Sequence, residues 1–419
     1  MPALLSLDEA GFPRAGDHAL SLPPTVRRAL ALLLHSAGAV VDKETFAREV
    51  WRGGTMSDES LARCISRLRR EIERHGYRLD AVYGVGYRLD PPATHEDLDA
   101  SVIAAAQQTE RHARALLTQR TPEAITRALG LLRESVARMP SHAPSALALA
   151  EALVTAIAWG LVATAAAVDE GLAAVQVARR QDASAPGLAA VHGALLDAAW
   201  RFDEAEVAFI EAMAQPEPPA HAMILHARHL LLTERADAAV ARLRRVLRLT
   251  PHDPSVVLLM ARALLQAGHD AESIALAHRV VEEHPGLLFA VAFELALRAQ
   301  VAPVPELEPQ AARLAQGPSP PPFAWSVQAF VLARLGRREP AMDIIEAVLL
   351  CSRTSIGEAS LYAAPLAALG EHDRAAALLQ RAYEDRCGML SMVLRDPANA
   401  SLVAPGGAAH PLVRLVFGG

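Results

Sequence analysis

Residues 57–90 read SDESLARCISRLRREIERHGYRLDAVYGVGYRLD, and two kinds of periodicity meet in them. Leu61, Ile65, Leu68 and Ile72 step by four, three and four, so they share one face of a helix and can pack on a core. Arg63, Arg67, Arg70 and Arg74 take the same steps on another face, bordered by Ser66 and Arg69. Ser57 is placed to cap this helix, which the spacing predicts to run to about His75. Past Gly76 the pattern changes: residues 77–90 hold two β-rich pieces flanking Gly84 and Gly86, the signature of a hairpin. A row of guanidinium groups along one helix can reach phosphates, and one or two of them can bind guanine O6 and N7 in the major groove. A solvated basic face, with Glu71 and Glu73 as its partners, is the competing reading. The glycine hairpin that follows at once favours nucleic acid.

The sequence before this stretch completes the unit. Residues 1–22 alternate short apolar pieces with turn residues and predict a few short strands. Pro24 opens a helix in which Val26, Ala29, Leu30, Leu33 and Leu34 recur at helical spacing, ending near Ser36. Asp42 caps a second helix, with Thr45 three residues on and Phe46, Val50 and Trp51 facing one side. Arg52, Gly53, Gly54, Thr55 and Met56 form a loop. Strands, three helices and a hairpin, in that order, predict a winged helix-turn-helix over residues 1–92.

After Pro91-Pro92 the chain becomes rich in Ala and Leu, and a period of 34 residues emerges. Gly193, Ala227, Ala261, Leu295, Ala329 and Ala363 recur at that spacing. Twelve residues into each unit stand Ala205, Ala239, Ser273, Leu307, Ala341 and Ala375. Pro251 and Pro285 mark unit boundaries, and Gly268, Gly336 and Gly370 mark mid-unit turns. Small residues at fixed positions let two antiparallel helices approach closely, and a proline closes a unit because it cannot continue a helix. The unit with Leu295 and Leu307 reads as a worn repeat with a long connection through the proline run at 318–322. The expected architecture is mainly α: an α+β winged helix over 1–92, a connection over 93–120, a helical solenoid over 121–390 and a closing segment over 391–419.

Composition agrees. The 419 residues are 52% hydrophobic and only 4% aromatic, which suits helices better than sheets. The net charge of -6 conceals a local balance: residues 1–92 hold 13 Lys+Arg against 12 Asp+Glu, so the placement of charge matters more than its total. Cys64, Cys351 and Cys387 lack any paired spacing, which argues against a disulfide framework or a zinc site and fits a reducing cytoplasm. No signal peptide is read at the N-terminus. Residues 152–168 carry no charge, but they are rich in Ala and flanked by Glu151 and Asp169-Glu170, so a buried repeat helix with its connection is expected in place of a membrane span. His221, His226 and His229 lie in one helix without a third residue to complete a metal face, and Cys64 reads as a small, partly buried residue. No catalytic, cofactor or metal motif is found.

The pieces LPPTVRRALALLLHSAGAVVDKETFAREVW, SLARCISRLRREI and VYGVGYRL resemble the effector domain of OmpR/PhoB-type response regulators over about residues 3–90. The resemblance implies that Arg67 contacts a base. It further implies that Ser66, Arg69 and the wing contact phosphates, and that Arg52–Met56 touches RNA polymerase. Two positions depart from the family pattern: Tyr83 stands where a basic wing residue is common, and Glu59 where a basic residue often opens the recognition helix. No receiver pattern precedes this unit. The architecture instead resembles CadC- and HilA-like bacterial regulators with C-terminal TPR-type repeats, and LRDPANASLV…HPLVRLVF resembles their closing motif. The expected function is a cytoplasmic, sequence-specific transcription activator of double-stranded DNA. Arg63 and Arg67 would read bases, Arg69, Arg70, Arg74 and Lys43 would line the phosphates, and Tyr83 would sit on the wing. The repeat groove would serve self-association or a protein or peptide partner. The alternative is a non-enzymatic scaffold whose winged helix docks protein.

Overall fold

The computed structural model describes all residues except 1–4, 9–10, 17, 37, 53, 91–94, 120, 317–321, 352–358 and 419. Two compact units divide the chain, residues 1–105 and 106–419.

The first unit opens with three short antiparallel strands, β1 (Leu5–Leu7), β2 (Pro13–Ala15) and β3 (His18–Ala19), paired in that order. Helix α1 (Pro24–His35) follows, with proline in its first turn and the C-cap at Ser36. Strand β4 (Val41–Asp42) leads into α2 (Lys43–Val50), where the Asp42 carboxylate accepts from the Thr45 N–H at 2.7 Å. Helix α3 (Asp58–Ile72) starts with a capping box in which Ser57 and Ser60 exchange hydrogen bonds, and a 3-10 turn, Glu73–His75, extends it to Gly76. Strands β5 (Arg78–Val82) and β6 (Gly86–Asp90) form the hairpin, and β6 also pairs with β4, giving the order β4-β6-β5. The apolar periodicity meets in one core: Leu30 and Leu33 from α1, Phe46 and Val50 from α2, Leu61, Ile65, Leu68 and Ile72 from α3, and Leu79 and Leu89 from the hairpin are all buried. Tyr77 ties the strands to this core, its hydroxyl accepting from the Leu5 N–H at 3.0 Å.

The chain then runs through α4 (His95–Leu117) and α5 (Pro122–Arg138), and after these the helices pair: α6 (Ala143–Ala158) with α7 (Thr164–Gln181), α8 (Leu188–Ala198) with α9 (Phe202–Met213), α10 (Ala220–Leu232) with α11 (Ala236–Leu249), and α12 (Pro254–Gln266) with α13 (Asp270–Glu283). Helices α14 (Leu288–Val301) and α15 (Leu307–Leu314), then α16 (Pro322–Arg334) and α17 (Arg338–Leu349), continue the series, and Ala363–Ala368 and His372–Glu384 complete it. Ala227, Ala261, Leu295, Ala329 and Ala363 are completely buried, as are Ala205, Ala239, Ser273, Leu307, Ala341 and Ala375. The reason for small residues is visible at Gly193, where an added Cβ would lie 2.9 Å from the Phe209 ring on the partner helix. In the worn unit, α15 has shrunk to eight residues.

The mid-unit turns repeat a backbone conformation. Trp200, Glu234, Gly268, Gly336 and Gly370 all have positive φ. The equivalent turn in the first pair is at Gly160, 40 residues before Trp200. The step from the first pair to the next is therefore six residues longer than the 34-residue period, and the 18-residue α7 accounts for it. The uncharged stretch 152–168 is the end of buried helix α6, a turn and the start of α7. Among the described residues no helix is long and apolar enough to cross a membrane.

Candidate nucleic-acid interface

Helix α3 separates its two faces cleanly. Leu61, Cys64, Ile65, Leu68 and Ile72 are buried, while Arg63, Ser66, Arg67, Arg70 and Arg74 are exposed. Burial pushes the Cys64 thiol up to about 11, so it stays protonated and acts as a small apolar group. The exposed side chains form the row expected of a helix presented to a duplex.

The cations in this row are not equivalent. Arg63 is ion-paired with Glu59 one turn earlier, and Arg74 lies 3.7 Å from Glu71. Lys43, at the start of α2, is 2.8 Å from Asp58 at the start of α3, and that hydrogen bond and charge raise the Lys43 amine above its ordinary range. Asp58 and Glu59 place negative charge at the positive N-terminus of α3 and stabilise it. Among the described residues, no carboxylate lies within ion-pairing distance of Arg67 or Arg70. Arg69 differs again. It is half-buried, and its Nε donates to the Leu79 carbonyl at 2.9 Å, fastening α3 to the wing strand β5.

The wing turn is closed by the Val85 N–H donating to the Val82 carbonyl at 3.0 Å. Gly84 occupies its left-handed position with φ +72°, and Tyr83 at the tip is fully exposed. Gly86 has a different duty. A Cβ there would stand 1.9 Å from the Val41 carbonyl oxygen, so only glycine lets β6 cross β4 this closely. In the loop before α3, Arg52, Gly54 and Thr55 are exposed and Met56 is partly packed against the core, while Gly53 lies outside the described residues. Arg52 holds φ +47°.

Residues 17–89 match the family model "Transcriptional regulatory protein, C terminal". The N-terminal unit is an OmpR/PhoB-type DNA-binding domain of a transcription regulator. This domain is similar to the transcriptional regulator HilA of Salmonella typhimurium, 40% identical over 76 residues that cover 17% of this chain and 14% of HilA. It is also similar to the transcriptional regulatory protein AfsQ1 of Streptomyces coelicolor, 36% identical over 77 residues, 17% of this chain and 34% of AfsQ1. Behind the OmpR/PhoB-type domain, residues 230–300 match the tetratricopeptide repeat model. The fold of a human IFIT1 dimer solved with m7Gppp-AAAA aligns with a TM-score of 0.50 at 13% identity, covering 81% of this chain and 80% of that one. A tetratricopeptide repeat protein from Parabacteroides merdae aligns with a TM-score of 0.43 at 15% identity, over 58% of this chain and 98% of that one.

Behind the OmpR/PhoB-type domain, His226 and His229 of α10 are taken up by packing and charge. His229 is completely buried, with Nδ1 2.7 Å from Asp197 and Nε2 2.7 Å from Glu206, and Arg235 also binds Glu206. Burial pushes the His229 ring down, but the hydrogen bonds and charges of Asp197 and Glu206 outweigh it and hold the ring above the ordinary histidine range. The Arg235 hydrogen bond foremost, with help from His229, takes Glu206 down to about 2. His226, stacked on Phe209, is pushed down to about 4 by burial. Among the described residues no group of His, Cys, Asp or Glu is arranged to hold a metal ion.

Sequence reasoning missed the resident of the repeat groove. The C-terminal segment crosses the face made by the first helix of each pair. Arg262 of α12 donates to the Met392 carbonyl at 3.2 Å and lies 3.3 Å from Asp396, and Gln266 donates to the Arg395 carbonyl at 2.9 Å. Arg395 in turn donates to the Leu232 carbonyl at 2.9 Å and pairs with Glu234. The partners stand some 130–160 residues apart, beyond the reach of any local pattern.

Proposed function

We propose that the chain is a sequence-specific transcription activator that reads double-stranded DNA with α3 and receives its signal through the repeats. The observation that carries this reading is Arg67: it projects from the exposed face of the recognition helix, free of an acidic partner among the described residues, between Arg63 and Arg70. Arg67 and Arg63 would read base edges, with Arg63 first leaving Glu59. Arg70, Arg74, Lys43, Ser66 and the free part of the Arg69 guanidinium would line the phosphates, with Tyr83 at the wing tip against the sugar-phosphate edge. The exposed part of the loop Arg52–Met56 is the proposed contact with RNA polymerase. The working division is 1–92 for DNA, 93–120 for the connection, 121–390 for the repeats and 391–419 for the closing segment. Action on chromosomal DNA places the chain in the bacterial cytoplasm. In this proposal the repeats support self-association or hold a protein partner and do no chemistry. In the test, Arg67→Ala lowers affinity for a selected operator by about 1–3 kcal/mol and leaves binding to random DNA largely intact. Equal losses on both DNAs in an anisotropy titration would sink the base-reading role.

A second reading, a winged helix that docks protein, draws on the Glu59–Arg63 and Lys43–Asp58 pairs, which mute the basic face. The salt dependence separates the two. A steep fall in affinity between low and moderate salt belongs to DNA, and no DNA binding at low salt belongs to the scaffold.

A further inference from the structure

The groove described above is occupied by the chain's own tail, and the way it is held resembles the reading of a peptide. Arg228 and Arg262 are equivalent positions of successive repeats, 34 residues apart, and so are Gln266 and Gln300. Arg228 reaches the Met392 sulfur at 3.6 Å, Arg262 the Met392 carbonyl, Gln266 the Arg395 carbonyl and Gln300 the Pro397 carbonyl at 3.4 Å. Three of these repeat-spaced side chains thus meet main-chain oxygens of one crossing segment, and Arg228 meets its methionine sulfur. Main-chain oxygens are offered by any peptide; selectivity comes from the Asp396 charge facing Arg262, the Arg395 charge facing Glu234, and the apolar side chains of Met392 and Val393 on the groove wall.

The fit of this resident is incomplete. A cavity of about 170 Å³ lies beside it, walled by Leu265, Phe293 and Phe330 on the repeat side and by Val393 and Ala398 on the tail side. A second, of about 50 Å³, lies between Leu225, Arg228 and Met392. A segment with a larger side chain than Ala398 would cover more of these apolar walls.

We propose that residues 388–399 are the resident ligand of a peptide-reading groove. A regulatory protein partner expels them by presenting a segment of the same chemistry: apolar anchors, then Arg-Asp-Pro, then an apolar residue bulkier than Ala398. This rests on the reading of the repeats as a partner-binding unit. The test uses the full chain and a fluorescent peptide of residues 386–404, followed by anisotropy. Arg395→Ala/Asp396→Ala weakens the resident tail and leaves the groove intact, so this variant binds the wild-type peptide at least tenfold tighter than the wild-type chain does. Asp396→Asn keeps the oxygen that caps the turn after it and removes only the charge, and should gain about threefold. Arg262→Ala/Gln266→Ala damages the groove and should gain nothing. A peptide carrying Ala398→Leu should bind several-fold tighter than the wild-type peptide. The proposal fails if the tail variants gain no peptide binding, if the groove variant gains as much, or if Asp396→Asn abolishes cooperative thermal unfolding, which would make the segment an inseparable part of the core. Light scattering on the same samples keeps the two readings apart: lost exchange with intact self-association overturns the displaceable tail alone.

Discussion

The Arg63 guanidinium is held by the Glu59 carboxylate one turn earlier on the recognition helix. Both side chains stand largely in solvent, so the pair adds little to stability and is readily exchanged for a contact with DNA. Its cost falls on DNA binding, because Arg63 must leave the Glu59 carboxylate to meet a base edge while Glu59 repels the backbone phosphates. Glu59→Gln is expected to tighten binding to any duplex about 2–5-fold and to steepen the dependence of log K on log salt by about one unit. Titrations at three salt concentrations check this, and an unchanged affinity and slope would mean that the Glu59 charge does not oppose the approach of the duplex.

Arg69 should separate from Arg67 by what its loss damages. Its Nε bond to the Leu79 carbonyl joins α3 to β5 inside the unit. Arg69→Ala is expected to lower stability by about 1 kcal/mol through that bond, whereas Arg67→Ala leaves stability unchanged. Thermal unfolding of the two variants beside wild type decides it. Equal midpoints would show that the Leu79 bond holds nothing and that Arg69 is a surface cation like the others.

His226 and His229 of α10 give the repeats a pH dependence with opposite signs. His226 has a folded pKa of about 4, below its unfolded value near 6.5. Its contribution is therefore whole above pH 6.5 and is lost as pH falls toward 4, where the unfolded chain takes up the proton first. His229 has a raised folded pKa, so its contribution is whole below pH 6.5 and is lost as pH rises through the folded value. Glu206, taken down to about 2, adds an acid loss that begins only below about pH 4.5. His226→Leu should flatten the decline between pH 6.5 and 4. His229→Leu leaves Asp197 buried without its counter-charge and should cost about 3–5 kcal/mol at pH 7. Denaturant unfolding from pH 4 to 8 measures both. A decline unaltered by His226→Leu would place the acid sensitivity elsewhere.

What could be read from the sequence was whatever repeats or alternates locally. The four-three-four steps of Leu61–Ile72 and Arg63–Arg74 were enough to give α3 its inner and outer faces, and the glycines at 84 and 86 marked the hairpin. The 34-residue register likewise named the close-approach positions, because a helix pair cannot tolerate bulk there. The electrostatics of the interface were only half legible. The spacing of Glu59 and Arg63 is that of an ion pair on a helix, but Lys43 and Asp58 meet only because α2 and α3 pack together. Arg69 belongs to the row by spacing and yet turns inward to a carbonyl whose position depends on the wing. The tail was legible as a closing segment, and its place across α10, α12 and α14 was not, since that is decided by how the repeats stack.

Gly84 and Gly86 look alike in the sequence and should respond differently to the same methyl group. At Gly84 the backbone is left-handed and nothing lies within 4 Å of an added Cβ, so Gly84→Ala meets only the conformational penalty of about 1–2 kcal/mol. The turn can escape part of that by adjusting, because the wing tip is in solvent. At Gly86 the backbone is ordinary for a strand, but the methyl would stand 1.9 Å from the Val41 carbonyl oxygen and 2.8 Å from the Asp42 Cα. Both are main-chain atoms and cannot rotate away. β6 must then separate from β4, where Val41 pairs with Tyr87 and Asp42 with Gly86, and Asp42 is also the cap of α2. Gly86→Ala is therefore expected to cost at least about 3 kcal/mol, combining overpacking with a weakened cap. It should also loosen the wing, so DNA affinity falls with stability, whereas Gly84→Ala shifts stability alone. Paired melting and DNA titrations of the two variants test this. Similar destabilisation by both would mean that the β4–β6 contact yields easily and does not set the position of the wing.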